Sequence, residues 1–545
     1  MTTKKTKTLL MIVLSSVAII IAIIAASCAN TVGKQRSSTD LSASVKDTAD
    51  AAVGPIDNET STAKAAAKIR AKAGRQIVSH PSELKFDSLD WKVPLGDRHR
   101  VVLGSGKQAS GPIAYVAVDS TLPLVSIAAY IRSGSLTDPV GKEGLGALMA
   151  RLMRTGGTER YHADTLDALI DQLAMSFSFS QGESEISFRA SFLSEYLDTA
   201  MVIMKEMFFH PAFNPEKLER ERSITLEGIS NRFANPGPTL SVAYRKHAYQ
   251  KSASAKISTA ASVNSIKRGD LVALHKAAFG SCDIILAASG KFDKDDMISR
   301  LNKVFSTPIT PQKQAIPKIA VAPQTRALIV HKDINQAYIR MGLPLFKRPH
   351  PDYYAVMLLD YILGGSGFTS RLGTRVRSDE GLTYSIHSNA ESNYTYPATL
   401  HITFYTKTAS LPKAVTLVLE ELDKIVKDGV TEEELANAKA ALITELPSSF
   451  RSPEDIVSTY AWNEFYGRAP DHYAKYPDEL RKLTKADVDN AAKKYITVDK
   501  ITYTIVGDTA AINAASSAAA KDGYFVIDAL KSKKIMTADA LERFE

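Results

Sequence analysis

A chain of 545 residues, 45% hydrophobic and 23% charged, has ordinary globular composition and is long enough for two or three cores. Its formal net charge of +8 comes from 67 basic and 59 acidic residues spread along the chain, with no basic stripe or aromatic-basic motif, which argues against a nucleic-acid partner. Two cysteines, Cys28 and Cys282, are too few for a disulfide framework or a cysteine zinc site.

At the N-terminus Lys4, Lys5 and Lys7 precede an apolar run from Leu9 to Ala26, broken only by Ser15 and Ser16. Basic followed by apolar is the layout of a secretory signal. The run ends Ala25-Ala26-Ser27-Cys28, and small residues directly before a cysteine resemble a bacterial lipoprotein processing site. Cys28 is then the lipidated first residue of a membrane-anchored chain. An uncleaved anchor stays open, because about 18 apolar residues just cross a bilayer, and so does simple secretion. All three place the body outside the cytoplasm, on the periplasmic side of the cell envelope. Residues 29–84 are rich in Ser, Thr, Ala, Lys and Asp and read as a flexible tether.

From residue 85 the pattern becomes globular. Ala114–Val118 and Leu122–Arg132 are predicted strands, and helical periodicity runs through Gly144–Met153, Ala163–Leu173 and Leu193–Phe209. Serine alternates with phenylalanine over Ser176–Phe188, which predicts a hairpin. Asp283–Ala288 reads as a strand and Asp293–Phe305 as a helix. Pro308, Pro311, Pro317 and Pro323 then mark residues 306–324 as a linker between a first domain, 85–305, and a second, 325–545. In the second, Leu328–His331, Gln336–Leu343 and Thr399–Thr406 read as strands and Tyr353–Leu363 and Leu411–Asp428 as helices. The order repeats that of the first. The expected class is α+β: two similar domains, each a mainly antiparallel sheet with helices packed on it. After Asp508, an Ala-rich helix over 510–520 and a short strand at Gly523–Ile527 are expected.

Four stretches carry a resemblance. They are Ile131-Arg132-Ser133-Gly134-Ser135-Leu136-Thr137-Asp138-Pro139 with Thr155-Gly156-Gly157-Thr158; Phe209-His210-Pro211-Ala212-Phe213 leading into Glu219-Arg220-Glu221-Arg222; Gly364-Gly365-Ser366-Gly367-Phe368-Thr369-Ser370-Arg371-Leu372; and Arg377-Ser378-Asp379-Glu380-Gly381-Leu382-Thr383-Tyr384-Ser385. Their order and spacing resemble the two-domain chains of the pitrilysin/insulinase-type zinc metallopeptidase family, over roughly Leu89 to Asp508. Active members carry an inverted motif, H-x-x-E-H, on a helix of the first domain. Its histidines, four residues apart on one helix face, grip a zinc ion, its glutamate acts as general base, and a glutamate on a later helix completes the ligand set.

The resemblance places the histidine positions on Ala147 and Arg151, the base position on Ala150 and the later glutamate on Gly228. Neither alanine ligates a metal or moves a proton, and the guanidinium of Arg151 puts a fixed positive charge where zinc belongs. Glu227, one residue from Gly228, is turned by about 100° on a helix. The 11 histidines offer no replacement pair at metal-ligand spacing, the nearest two being His387 and His401, 14 residues apart. No zinc or other cofactor is therefore expected in this chain. The Gly364–Gly367 stretch reads as a flexible loop without the Lys-Ser/Thr of a phosphate cradle.

The same family places an arginine and a tyrosine seven residues later beside the scissile peptide; here these are Arg377 and Tyr384. Both side chains donate hydrogen bonds to a developing oxyanion. The plainer alternative is an arginine paired with Asp379 or Glu380 and a tyrosine packed in a sheet. Some branches divide the work between two chains, one supplying zinc and the other the arginine–tyrosine pair. The expected role is the second: a non-catalytic subunit of a heterodimeric zinc peptidase, with zinc in the partner and a peptide or unfolded protein as substrate. Competing expectations are a scaffold or peptide-binding protein without proteolysis and, least supported, an enzyme of other chemistry.

Overall fold

The computed structural model describes residues 91–104, 111–281, 284–305, 316–321, 326–527 and 533–544. The N-terminal signal, Cys28, the tether, Cys282 and most of the proline-rich linker lie outside them.

Two six-stranded sheets organise the chain. The first, ordered β1-β2-β6-β3-β5-β4, is built from β1 (Arg100–Val102), β2 (Ile113–Val118), β3 (Leu124–Ile131), β4 (Ser176–Gln181), β5 (Ile186–Leu193) and β6 (Ile284–Gly290). The second, ordered β12-β7-β11-β8-β10-β9, is built from β7 (Arg326–His331), β8 (Gln336–Pro344), β9 (Ile386–Ala390), β10 (Thr399–Lys407), β11 (Thr502–Gly507) and β12 (Lys533–Thr537). Matching β7 to β2, β8 to β3, β9 to β4, β10 to β5 and β11 to β6 makes the two orders identical over five strands. The pairs β2–β6 and β7–β11 are parallel in both. Only the sixth strand differs: β1 joins antiparallel and β12 parallel. The repeated α+β plan is therefore present strand for strand, and each sheet is mainly antiparallel.

One face of the first sheet is covered by α1 (Leu145–Thr155), α2 (Ala163–Gln172), α3 (Leu197–Phe209) and α4 (Pro215–Ser230). The Ser/Phe alternation explains the hairpin. Phe177, Phe179 and Phe188 point inward, where Phe188 meets Phe208 of α3 at a ring distance of 4.8 Å, and the serines point out. The next helix, α5 (Pro236–Ala248), leaves this sheet: Leu240 and Ala243 pack on Leu328, Val330 and Val506 of the second. Then α6 (Arg268–Ser281) and α7 (Lys294–Phe305) return to the first core. The second core holds α8 (Tyr353–Asp360), α9 (Leu411–Asp428) and α10 (Glu432–Glu445). The debt is returned by α11 (Pro453–Tyr466), whose Val457, Tyr460, Ala461 and Phe465 pack on Tyr115, Tyr130 and Ile285 of the first sheet. Ser452 caps α11 by accepting from Asp455 N (3.0 Å), Pro453 fits its first turn, and Gly467 ends it at φ +65°. Each half thus lends one helix to the other's sheet.

Four expectations change. The helix expected over Leu193–Phe209 begins at Leu197, because Leu193 pairs with Leu124 as the last residue of β5. The helix expected to Leu363 ends at Asp360 and widens into a π turn, Tyr361–Gly365, closed by Ser366 N donating to Tyr361 O (3.0 Å). Gly364 belongs to that turn and not to a loop; a Cβ there would sit 2.4 Å from the backbone nitrogen of Ser388 on β9, so only glycine allows the approach. The C-terminal strand is β12, not Gly523–Ile527. Phe525 N and Ile527 N donate instead to the hydroxyls of Thr416 (2.7 Å) and Ser516 (2.9 Å), the latter on the helix Thr509–Ala519. Among the described residues no helix is long and apolar enough to cross a membrane.

Candidate functional site

The helix α1 carries three of the four motif positions. Leu145, Leu148, Met149, Leu152 and Met153 form one helix face and are buried against the first sheet. Its first turn is held by Asp138, whose carboxylate accepts from the backbone of Gly144 (2.9 Å) and Gly146 (3.3 Å) and from the Gln181 amide on β4 (3.0 Å). This fills donors that a helix start leaves open. Burial pushes the Asp138 carboxyl above the usual range despite these bonds.

The remaining positions are closed to a metal. Ala150 is fully buried in the core, while Ala147 and Arg151 are partly exposed. Arg151 Nη1 donates to Thr225 Oγ1 (3.2 Å) and lies 3.8 Å from Glu221 Oε2 on α4. The Thr155 hydroxyl donates to the other Glu221 oxygen (3.2 Å). Glu221 is only 9% exposed, so the guanidinium neutralises a carboxylate held away from water. Gly228 is exposed, and a Cβ there would meet nothing within 4 Å. Two alanines, a glycine and a permanently protonated arginine supply no zinc donor, so these residues do not fit the ion. Among the described residues no three His, Cys, Asp or Glu side chains converge elsewhere. In the sequence, Glu221 is one member of an acidic-basic run. The four-residue spacings of Arg151 to Thr155 and of Glu221 to Thr225 are the signal that marks the network.

The second site is arranged differently. Arg371 fixes the segment that precedes β9: Nε and Nη2 each donate to Glu434 of α10 at 2.7 Å, and Nη2 donates to Gly429 O at 2.9 Å. Further on, the Thr383 hydroxyl donates to Tyr405 O (2.7 Å) and the Thr406 hydroxyl to Leu382 O (2.6 Å), pinning the chain against β10. Between these anchors Tyr384 is left 75% exposed and Phe368 66% exposed. The Arg377 guanidinium lies between them, 3.8 Å from the Phe368 ring centre and 4.9 Å from that of Tyr384.

Glu380 does not take Arg377. Its carboxylate is bound by Lys413 (2.6 Å) and Arg375 (2.9 Å), which hold it below the usual range. Asp379 is exposed, and among the described residues no carboxylate lies within ion-pair distance of Arg377. The pair expected from the sequence is thus brought together, with Phe368 added to it, and the tyrosine is not packed in a sheet. Both α1 and this cluster border sheet edges: α1 packs on β4, and Tyr384 lies two residues before β9. An edge strand offers unpaired N–H and C=O groups to an extended peptide.

Comparison with known proteins agrees with this geometry. Residues 115–260 match the profile "Insulinase (Peptidase family M16)" and residues 265–442 match "Peptidase M16 inactive domain", together more than half of the chain. A curated relative, the "Non-peptidase homolog YmxG" of Helicobacter pylori, is 24% identical over 408 residues, covering 74% of this chain and 93% of its own. The "Uncharacterized zinc protease YmxG" of Bacillus subtilis is 24% identical over 385 residues, 70% of this chain and 92% of its own. Among solved structures, the peptidase M16 inactive domain from Pseudomonas fluorescens has a TM-score of 0.66 at 23% identity, covering 75% of this chain and 98% of that one. The periplasmic protease PqqL of Escherichia coli has a TM-score of 0.62 at 15% identity, covering 85% of this chain but 51% of its own. With both halves matched and the zinc positions occupied by Ala147, Ala150, Arg151 and Gly228, the chain belongs to peptidase family M16 as a member without the catalytic set.

Proposed function

We propose that the chain is the non-catalytic subunit of a heterodimeric zinc peptidase. In this reading Arg377 and Tyr384 reach a peptide held by a partner chain whose own H-x-x-E-H motif carries the zinc. One observation carries it: the chain's motif arginine on α1 is neutralised internally, whereas Arg377 is kept off carboxylates and presented between two exposed rings beside an edge strand. A guanidinium and a phenol at one surface can donate hydrogen bonds to the oxyanion of peptide hydrolysis. The N-terminal signal and Cys28 support a lipid-anchored chain in the cell envelope, facing the periplasm. Exchanging Cys28→Ser should then move the chain out of the membrane fraction.

The test is cleavage of an unstructured peptide by an H-x-x-E-H homologue from the same cell, alone and with this chain. Faster cleavage with the chain supports the reading; no change in rate sinks it. The likeness to a non-peptidase homolog of Helicobacter pylori favours a second reading, a peptide-binding or scaffold protein with no proteolytic role. A scaffold tolerates loss of Arg377 and Tyr384, and a peptidase subunit does not.

A further inference from the structure

The backbone around Arg377 favours an ion pair that the structure does not make. Gly373–Asp379 winds as a π turn, and Gly381 N donating to Arg377 O (3.1 Å) carries the coil on through Glu380. A carboxylate three residues after an arginine on a helical turn lies within its reach, whereas Asp379, two residues on, faces another way. Glu380 is nevertheless turned to other cations. Its Oε2 accepts from Lys413 (2.6 Å) and its Oε1 from Arg375 (2.9 Å).

Helix α9 builds this diversion. Lys413 lies in its first turn, and Glu420, seven residues later and about two turns along the same face, stands 3.8 Å from Arg375. Lys413, Glu380, Arg375 and Glu420 thus form an alternating row in which two cations and two anions balance. Lys413 and then Arg375 hold the Glu380 carboxyl below the usual range and so keep it ionised. Arg377 is the fifth charge and the odd one. Among the described residues it has no carboxylate within ion-pair distance, and it lies against Phe368 and Tyr384 instead. A cation on exposed rings and an exposed ion pair are of similar strength. Which of them Arg377 adopts therefore depends on whether Glu380 is already taken.

We infer that Lys413 and Arg375 are positioning residues for Arg377: by holding Glu380 they keep its guanidinium off an internal carboxylate and open to an incoming oxygen. Their use in substrate binding rests on the function proposed above; the state of Arg377 that they set does not.

The experiment reads Arg377 directly. Phenylglyoxal modifies unpaired guanidinium groups, and mass spectrometry of proteolytic fragments gives its rate at Arg377 in the full chain without a partner. Arg375→Gln combined with Lys413→Gln should release Glu380 to Arg377 and slow modification about threefold. Adding Glu380→Gln should restore the original rate, and Lys413→Arg alone should leave it unchanged. Lys427→Gln, which breaks the 2.6 Å pair with Asp423 at the far end of α9, is the control and should have no effect. An unaltered rate in the double variant overturns the inference. So does a slowing that Glu380→Gln does not reverse, or an equal slowing by Lys427→Gln. If the double variant does not fold, Lys413→Gln alone, with and without Glu380→Gln, decides on the same criteria. In cleavage assays with the H-x-x-E-H homologue, a loss with Arg377→Ala but none in the double variant overturns the inference and spares the proposed function. Indifference to Arg377→Ala overturns that function, and the modification rates still decide the inference.

Discussion

The two halves share a strand order and differ in what each does with an arginine. In the first, Arg151 is directed to Glu221 and Thr225, and the fully buried Ala150 completes a helix that is all packing. In the second, Arg377 is sandwiched between Phe368 and Tyr384 in the open, while nearby Glu380 is consumed by Lys413 and Arg375. Five matched strands carry both arrangements, so the difference lies in side chains and not in scaffold. A cation paired with a buried carboxylate serves the fold. One stacked on exposed rings gains only about 0.5–1 kcal/mol there and remains available to a ligand.

The comparison can first be broken at the exchanged helices. Phe465 belongs to the second half but is buried on the first sheet, where Tyr130 lies 6.3 Å away and Arg132 sits over its ring. Phe465→Ala should cost about 3–5 kcal/mol. Urea unfolding followed by probes in each half should still give coincident transitions; separate midpoints would mean that the halves do not share stability through α5 and α11.

Acid should weaken the second sheet next. His247 faces Thr504 (3.0 Å), Arg326 and Phe544, and His401 faces Glu391, Tyr244 and Arg340. Burial lowers the pKa of each from 6.5 to about 3. Unfolded, both histidines bind protons below pH 6.5; folded, they resist until about pH 3. Their contribution is complete above pH 6.5 and declines toward pH 3 by about 1.4 kcal/mol per unit for each histidine. Asp138, Asp360 and Glu391, raised by burial, act in the opposite sense within the carboxylate range. Histidine-to-glutamine exchange at 247 and 401 should flatten the acid limb of a stability–pH curve.

Much of this was legible because its signals are local. The Ser/Phe alternation gives the hairpin, the 3.6-residue spacing gives α1, and four motifs in order give the family and place Arg377 beside Tyr384. What was not legible depends on distant partners. Nothing in Pro236–Ala248 or Pro453–Tyr466 says that each helix serves the other half's sheet, because amphipathicity names a buried face and not what buries it. Gly364 reads as a loop until Ser388 is seen beneath it. Phe368 sits inside a motif, but only the return of the chain at Arg377 gives its ring a cation. Glu380 and Lys413, 33 positions apart in the sequence, pair because α9 packs beside the π turn, which no local pattern announces.

Smaller effects sharpen the contrast between the arginines. Arg151→Ala leaves Glu221 with Thr155 alone and should cost about 1 kcal/mol, limited by the partial exposure of the guanidinium. Arg377→Ala and Tyr384→Phe should change stability by no more than about 0.5 kcal/mol, as read by thermal melting. A larger loss at Arg377 than at Arg151 would reverse the assignment of structural and functional roles.

The most direct test measures zinc and peptide cleavage in the purified chain and in the chain co-purified with an H-x-x-E-H homologue. The account predicts no zinc in the chain alone, stoichiometric zinc in the pair, and cleavage by the pair that Arg377→Ala lowers about 100-fold without separating the subunits. Stoichiometric zinc in this chain alone, or cleavage indifferent to Arg377, would contradict it.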